Sequence, residues 1–389
     1  MPSDLAPFIT VILPIKGRPA LAHDALTSVL RQDMRDFEVI VSNNGAEAAV
    51  RDALGPLLGD PRVRYVEQSA VLDMPTHWEH LALLARGRYL TVLPDRSLFV
   101  RGALGRIREL HQGHAAAADI LSWTWALYHD APRLLQQLAG DGAVHSLQSD
   151  DVMLDSVSGG GNWPFALPRG LNASVSAELV REIRHREGAA FLRINPDFTF
   201  AYHCLVRRPV FAHLAAPLMV SQGLSVSNGG NSVAKDARAY LAAIGLPEGP
   251  TRTPARGATV ENVIVEDFLA VCEGFGRDDL LQRWDRAAYY LRCRAEIDIK
   301  RAGGVADTAY VEWLSDELDR ALAIESPDVR AAVAERSRTT SMLRQRMTLL
   351  ARKLAGDRLV AAVRPFRLRL AGARRYSSAL AAAGFNSEP

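Results

Sequence analysis

One acidic and one hydroxyl side chain lie two residues apart at the end of an apolar run. The run is Tyr89–Leu93, in which Thr91 is the only polar residue, and Asp95 and Ser97 follow it. A nearly continuous apolar run of this length is typical of a strand buried on both faces of a parallel sheet. Ligands of open α/β sheets bind beyond the carboxyl ends of such strands. Asp95 and Ser97 therefore stand where a ligand site is expected.

A second carboxylate, Asp197, follows a proline in the sequence Asn195-Pro196-Asp197-Phe198. A carboxylate placed beside aromatic residues at a predicted helix start could serve as a positioned base. It could also be a simple helix cap, because Asp is favoured there in any case. The residues alone leave both interpretations open.

The elements that must position these side chains alternate along the chain. Strand patterns lie at Phe8–Pro14, Phe37–Ser42 and Val63–Glu67, and helical patterns at Ala20–Arg31 and Pro75–Arg86. This alternation predicts right-handed βαβ units and a parallel sheet. Pro19 suits the first turn of its helix, and Gly87 is predicted to cap the helix before it. The loops at 14–18, 42–45 and 94–97 should then converge.

The following segment is less regular. Ile120–Tyr128 alternates Trp with polar residues and is predicted as a strand, whose aromatic side chains could pack on a sheet face or form a sugar-stacking platform. The glycines at 159–161 lack the Lys and Ser/Thr of a phosphate loop and are interpreted as a flexible lip of the site. Leu218–Val220 and Leu224–Val226 are predicted as edge strands.

Beyond the Pro- and Gly-rich segment Gly245–Gly257 the pattern becomes helical. Helices are predicted at Asn262–Phe275, Asp278–Arg301 and Asp307–Ile324. We predict a main domain at 1–245, a helical accessory region at 246–330 and a basic amphipathic tail at 331–389. The tail carries twelve Lys and Arg against three acids. It could pack on the domain as a solvated helical face, or contact an anionic membrane or a partner helix.

Composition describes an ordinary globular protein. The chain has 389 residues, 48% hydrophobic and 23% charged, and its net charge of +2 is too small to argue for nucleic acid. The three cysteines show no metal or disulfide spacing, which fits a reducing cytosol. The N-terminus lacks a signal-peptide pattern, and no run of 18 apolar residues exists. Ala, Arg and Leu richness suggests a bacterial genome.

In the order and spacing of several motifs, residues from about Ile9 to Asn231 resemble the family-2 glycosyltransferases. The motifs are ITVILPIKGR, ALTSVLRQDMRDFEVIVSNNG and VRYVEQSAVLDMPTHWEHLALLARGRYLTVLPD. The resemblance implies a GT-A fold, which is Rossmann-like with a mostly parallel sheet flanked by helices. It also implies a donor site for a nucleotide sugar linked to UDP, GDP or dTDP.

The resemblance assigns roles to matching positions. Residues expected near the donor are Pro14, Lys16, Arg18, Asn43, Asp73, Asp95 and Arg96. Asn43 stands where the family usually carries Asp, and Asp73 could instead cap the next helix. By the same resemblance Asp197 is the general base. Trp163, Tyr202 and His203 are expected at the acceptor, although His203 could be a core histidine and His77 is expected to serve in packing.

The family's DxD element would read Asp95-Arg96-Ser97 here, with a single carboxylate. The resemblance implies that Asp95 and Ser97 bind Mn²⁺ or Mg²⁺, which usually rests on one or two carboxylates plus substrate phosphates. Alternatively, Arg96 supplies the charge that the metal would otherwise provide.

The expected function is an inverting glycosyltransferase that acts on a glycan, glycolipid or small-molecule acceptor, for example in bacterial polysaccharide synthesis. The expected location is the cytoplasm, with possible peripheral contact at the inner membrane face. One alternative is a degenerate, non-catalytic GT-A domain that serves as a scaffold or partner subunit. A sugar nucleotidyltransferase would need a glycine-rich phosphate loop after the first strand, and the loop at 15–19 has only one glycine.

Overall fold

The computed structural model describes residues 6–131, 133–137, 140–159, 161, 163, 165–192, 194–222, 238–243, 246–247, 249–302, 307–339 and 374–385. The predicted strand at Leu224–Val226 and most of the predicted basic tail lie outside these residues. No helix in the described ranges is long and apolar enough to cross a membrane.

The first part of the chain alternates strands and helices, as predicted. Its elements are β1 Ile9–Ile15, α1 Pro19–Leu30, β2 Phe37–Asn44, α2 Ala48–Leu54, β3 Val63–Gln68, α3 Met74–Leu84, β4 Tyr89–Val92, β5 Ser97–Phe99 and α4 Ala103–Gly113. Strands β4, β1, β2 and β3 lie side by side, and all three pairings are parallel. The prediction of a parallel sheet is therefore confirmed for this part.

The next part makes the sheet mixed. Its elements are β6 Ile120–His129, β7 Leu134–Gln137, β8 Val144–Gln148, α5 Ser149–Ser158, β9 Ala173–Ser176, α6 Ala177–Glu187, α7 Pro196–Leu205 and β10 Val210–Ser221. Strand β9 joins β4 to β6 in antiparallel pairings. Strand β10 runs parallel to β6 and antiparallel to β5 and β8. The prediction of an edge strand at 218–220 is wrong, because Met219 has partners on both sides, Phe99 and Trp125.

The C-terminal part is helical. Its elements are α8 Arg238–Ala243, α9 Val260–Gly274, α10 Asp278–Arg283, α11 Arg286–Ala302, α12 Thr308–Ala323 and α13 over 327–339. The predicted single helix at 278–301 is divided, because α10 ends before Trp284 and Asp285, whose side chain accepts from the N–H of Ala288 at the start of α11.

Alternate residues of the central strands face two different cores. Val11 and Val39 pack with α1 and α4, whereas Ile12 and Ile40 pack with α3, α5, α7 and the C-terminal helices α9 to α12. The period-two alternation of a strand accounts for this division. The C-terminal helices thus share one continuous core with the sheet and cover one of its faces.

Gly87 is needed for a close backbone approach. A Cβ added there would lie 2.4 Å from the amide nitrogen of Thr10, which is far inside a van der Waals contact. The Gly87 N–H donates to Thr10 Oγ1 at 2.8 Å. The prediction that Gly87 caps the preceding helix is wrong, because α3 ends at Leu84 with Ala85 as its C-cap in an extended conformation.

The end of the chain returns to the sheet. The two-residue strand β11, Arg374–Arg375, pairs with β7, and the short helix α14, Ala379–Ala382, follows it. Phe385 is buried in a small apolar cluster together with Tyr128 of β6. The described end of the predicted tail is therefore packed on the sheet, although as a strand and a single helical turn rather than as an amphipathic helix.

Candidate active site

The first two strands bring their carboxyl ends to one edge of the sheet. Pro14 lies opposite Ser42 and Ile15 opposite Asn43. After β1, Gly17 and Arg18 both adopt positive φ angles, 70° and 55°. Two consecutive left-handed residues turn the chain sharply into α1, and Arg18 is the N-cap position of that helix.

Arg18 connects the loop after β1 to the loop after β4. Its Nε atom lies 3.0 Å from Oδ2 of Asp95. The segment 94–97 forms a tight turn in which the N–H of Ser97 donates to the carbonyl of Pro94 at 2.8 Å. The convergence predicted for these two loops is thus observed, and it places Asp95 against a guanidinium group.

Asp95 is buried, and its environment alters its acidity. Burial raises the pKa of Asp95 to about 6, while Arg18 and Arg96 oppose this shift. Loss of hydration disfavours the charged carboxylate, and nearby cations favour it. At neutral pH Asp95 is therefore predominantly ionised and held between positive groups.

Arg96 has two further cations as neighbours. Burial lowers the pKa of Arg96, Asp95 opposes this shift, and Arg18 and Arg169 add to it. The carbonyl of Arg96 accepts a hydrogen bond from the N–H of Gln222 at 2.9 Å, which fixes the turn against the end of β10. We call Arg18, Arg96 and Arg169 the arginine cluster.

A polar loop positions Arg169. The carbonyl of Gly170 accepts from the N–H of Val92 at 3.0 Å, which fastens the loop to β4. Asn172 is buried, and its side-chain amide donates to the carbonyls of Trp123 and Phe165, both at 3.2 Å. The side-chain oxygen of Asn172 accepts from the N–H of Arg169 at 3.3 Å. These bonds hold Arg169 beside the carboxyl end of β4.

Asp197 lies in the first turn of α7, as predicted. Its Oδ2 atom is 3.9 Å from a terminal nitrogen of Arg169, and its side chain is 16% exposed. Burial raises the pKa of Asp197, and Arg169 opposes this shift. The Arg169 guanidinium also lies over the rings of Trp125 and Phe198. Arg169 therefore contacts Asp197, and its electrostatic effect on Arg96 indicates that it also faces the turn that carries Asp95.

The backbone before Asp197 is held by an accessory helix. Asp267 of α9 accepts hydrogen bonds from the N–H groups of Ile194 and Asn195, both at 3.1 Å. Burial raises the pKa of Asp267 well above its ordinary value, and the nearby Asp197 raises it further. The C-terminal helices thus contribute directly to the position of α7.

Asn43 and Asp73 both stabilise local turns. The Asn43 amide donates to the carbonyl of Glu47 at 2.9 Å and to Tyr65 Oη at 3.1 Å, and its oxygen accepts from the N–H of Glu47. Asp73 caps α3, because its Oδ1 accepts from the N–H of Thr76 at 2.8 Å. Both positions border the predicted donor side of the sheet.

Lys16 and His77 lie near one another on this side. Lys16 is exposed. His77 is buried, and its Nε2 lies 2.8 Å from Ser42 Oγ. Burial lowers the pKa of His77 to about 4, with His80 and Lys16 lowering it further. His77 is therefore neutral at pH 7 and serves in packing, as expected.

The predicted acceptor residues do not gather at one place. Tyr202 is fully buried and lies 2.9 Å from Ser156 Oγ, and His203 packs against Phe275. Their side chains turn into the helical core because α7 presents that face to α5 and α9. This geometry corrects the expectation that they line an acceptor pocket. Trp163 is half-buried, with its ring 4.7 Å from that of His145.

The residues expected to bind a metal do not fit that role. Ser97 is buried, and its hydroxyl lies 3.4 Å from Ser221 Oγ across β5 and β10. One Asp95 oxygen faces Arg18. Within the described part of the chain, no group of three or more His, Cys, Asp or Glu could hold a metal ion. A divalent cation prefers several oxygen ligands, and here one carboxylate is surrounded by cations.

Sequence reasoning missed Arg169 and Trp125 as site residues. The sequence pattern presents Trp125 only as one of several strand aromatics, and its ring packs edge-on against that of Phe165, with the ring centroids 5.3 Å apart. Trp123 is buried in the core and Trp125, on the same face of β6, is half-buried, so the alternation along the strand does not distinguish the two rings. No periodic pattern marks Arg169 either, which lies in an irregular loop.

Parts of the sequence are similar to those of known proteins. Residues 10–138 match the family described as Glycosyl transferase family 2. The GalNAc(5)-diNAcBac-PP-undecaprenol beta-1,3-glucosyltransferase of Campylobacter jejuni is 28% identical over 112 residues. The match covers 28% of this chain and 36% of that relative, so the chain spans about a third of its length.

Two solved structures resemble the chain at low identity. TarS 1-349 of S. aureus in complex with UDP-GlcNAc is 12% identical, with 75% of this chain and 81% of that chain covered and a TM-score of 0.45. The mannosyltransferase PcManGT from Pyrobaculum calidifontis, in complex with GDP-Man and Mn²⁺, is 14% identical, with 95% of this chain and 87% of that chain covered and a TM-score of 0.44.

Proposed function

We propose that this chain, whose residues 10–138 belong to glycosyl transferase family 2, transfers a sugar from a nucleotide-diphosphate sugar to an acceptor hydroxyl with inversion. One observation carries the proposal. Asp95 and Asp197 lie on separate elements, and Arg18, Arg96 and Arg169 link them. Such an arrangement separates a charged donor site from a base.

Asp197 is the proposed base. It takes the proton from the acceptor hydroxyl as that oxygen forms a bond to the anomeric carbon. The bond from this carbon to the diphosphate oxygen breaks in the same displacement, and its electron pair leaves with the nucleoside diphosphate. A single displacement inverts the anomeric configuration. A general base needs direct or one-water reach to the hydroxyl, and its pKa should approach the working pH. The raised pKa of Asp197 fits this requirement.

Arg169 is proposed to keep Asp197 in its ionised form. Burial alone would favour the neutral carboxyl group, which cannot accept a proton. The guanidinium 3.9 Å away opposes that effect. Asp95 is paired with Arg18 at the donor side and is therefore not required for the same task. This division assigns Asp95 to the donor site and Asp197 to removal of the proton from the acceptor hydroxyl.

The donor side is proposed to include Pro14, Lys16, Arg18, Asn43, Asp73, Asp95 and Arg96. Asn43 and Asp73 would act mainly by fixing the backbone of the turns that border the nucleotide, since their side chains are engaged there. For the acceptor, we propose a lipid-linked oligosaccharide, the class that the name of the Campylobacter relative describes. Trp125 offers a half-buried ring beside Arg169 on which a sugar could stack.

A donor panel tests this proposal. Purified protein is incubated with UDP-, GDP- and dTDP-linked sugars and with polyprenyl-pyrophosphate-linked oligosaccharides, and products are identified by mass spectrometry. We expect one donor to be consumed, and nuclear magnetic resonance of the product should show the opposite anomeric configuration. Absence of binding and turnover across the panel would refute the proposal, and retention of configuration would refute the single displacement.

A peripheral membrane contact is proposed for the basic part of the tail. Arg344, Arg346, Arg352 and Lys353 lie in it, and a lipid-linked acceptor would bring the enzyme to an anionic surface. Deleting the whole tail would not be a clean test of this contact, because the deletion would also remove Phe385, which is buried against the sheet. Changing these four residues to Gln should reduce sedimentation with phosphatidylglycerol vesicles. Unchanged sedimentation would refute the contact, and pure phosphatidylcholine vesicles serve as the control.

A further inference from the structure

We propose that the arginine cluster, and not a divalent cation, neutralises the donor diphosphate, so that nucleotide binding is independent of metal. The inference rests on the proposed function and deepens it. The groups that surround Asp95 and Ser97 do not suit the metal role expected of these two residues.

The expected metal ligands already have other neighbours, since Asp95 Oδ2, which is buried and accepts no hydrogen bond within the described residues, lies in an ion pair with Arg18. Arg18 Nε is 3.0 Å from Asp95 Oδ2. A metal ion bound to this carboxylate would sit about 2.0–2.6 Å from its oxygen, and would therefore be close to a fixed positive charge. The Ser97 hydroxyl is buried between β5 and β10 and faces Ser221. The repulsion and the missing ligands both oppose metal binding here.

The charge balance of the site suits an anion. Three guanidinium groups, those of Arg18, Arg96 and Arg169, outnumber the carboxylates of Asp95 and Asp197. Arg18 lies 3.0 Å from Asp95, the neighbour of Arg96 in the chain, and Arg169 lies 3.9 Å from Asp197, and both arginines act electrostatically on Arg96. Arg18 and Arg169 are 26% and 24% exposed, and cations held this near one another repel unless an anion offsets the repulsion. A diphosphate would supply that negative charge.

Arginine is chemically suited to this task. Its planar guanidinium can donate two parallel hydrogen bonds to phosphate oxygens and remains charged at all relevant pH values. Arg18 is also the N-cap position of the twelve-residue helix α1, so the partial positive charge of that helix end adds to its field. The left-handed conformations of Gly17 and Arg18 fix this position.

Calorimetric titration with UDP, GDP and dTDP tests the inference on the full chain. We expect the best nucleotide to bind with the same Kd, within about twofold to threefold, in EDTA and in MnCl₂. Changing Arg18 or Arg96 to Met should weaken binding by about tenfold to a hundredfold, as expected for lost charge-assisted hydrogen bonds. Lys at either position should restore part of the affinity. Arg106→Met, on the exposed surface of α4, should bind as the unaltered protein does.

The outcomes are distinguishable. Binding that appears only with MnCl₂ overturns the arginine proposal while leaving the glycosyltransferase function intact. Unchanged affinity in well-folded Arg18→Met and Arg96→Met proteins, as judged by thermal melting, also overturns it. If none of the three nucleotides binds with or without MnCl₂, the proposed function fails and this inference fails with it.

Discussion

Replacing Arg169 should change how the transfer rate depends on pH. Asp197 must be ionised to accept a proton, and burial raises its pKa while Arg169 opposes that shift. In Arg169→Met the opposing charge is lost, so the pKa of Asp197 should rise further. The rate should then fall at acidic pH and recover as the pH rises. Arg169→Lys keeps a positive charge and should retain most of the original profile.

The distance between the charges sets the size of the effect. Two unit charges about 4 Å apart attract by about 4 kcal/mol at an effective dielectric constant of about 20. The side chains of Arg169 and Asp197 are 24% and 16% exposed, and solvent screens part of this attraction. If screening removes about half of the attraction, roughly 2 kcal/mol remains, and its loss makes transfer by Arg169→Met about thirtyfold slower in the acidic range. At alkaline pH this part of the loss should disappear, and only the contribution of Arg169 to the donor site should remain.

The assay measures initial transfer rates from pH 5 to pH 9, about two units on either side of neutrality, at saturating donor and acceptor. An acidic limb of the profile that stays in place would show that Arg169 does not act through Asp197, because its proposed place beside the donor diphosphate predicts only a loss that is equal at every pH. A limb displaced toward lower pH would contradict the proposed sign. Thermal melting of each variant separates these outcomes from unfolding.

Three further predictions concern the residues that position the site. Gly87→Ala should lower the free energy of unfolding by about 1–3 kcal/mol, because its Cβ would meet the backbone of Thr10 at 2.4 Å; an unchanged denaturant midpoint would contradict this. Asn43→Asp should lower the free energy of unfolding by about 1–3 kcal/mol, because a carboxylate cannot donate the two hydrogen bonds that the amide makes. Asn44→Asp, which removes the single hydrogen bond from the Asn44 amide to the carbonyl of Leu72, provides the comparison. Asn172→Ala should reduce transfer more than donor binding, because the loop carrying Arg169 loses three hydrogen bonds; equal losses in both measurements would refute that role.

The regular part of the fold could be predicted from the sequence. Apolar runs identified β1, β2 and β4, and a proline in the first turn identified α1. The resemblance to family 2 is confirmed for residues 10–138, and with it an α/β fold that has a helical C-terminal region. The position of Asp197 in the first turn of α7 was also predicted. Each of these features depends on residues that are close together in the sequence, so a local pattern predicts it.

The remaining features depend on contacts between distant segments. Arg169 reaches the site because Gly170 is bonded to β4 and Asn172 to β6, and neither bond leaves a periodic signal. The Tyr202 side chain is buried because α7 packs against α9, and the pattern of one helix does not reveal the helix against which it packs. Gly87 looked like a helix cap because the close approach of Thr10 is made across 77 residues of sequence.

The most direct test of the central claim compares Asp197→Asn with the unaltered protein. Asn has nearly the same shape but cannot act as a base. We predict that donor binding, measured by calorimetry, changes by less than about threefold, and that transfer falls by about 10²- to 10⁴-fold, the usual contribution of a general base. Transfer that persists at its original rate in Asp197→Asn would contradict the account and require the base to lie elsewhere.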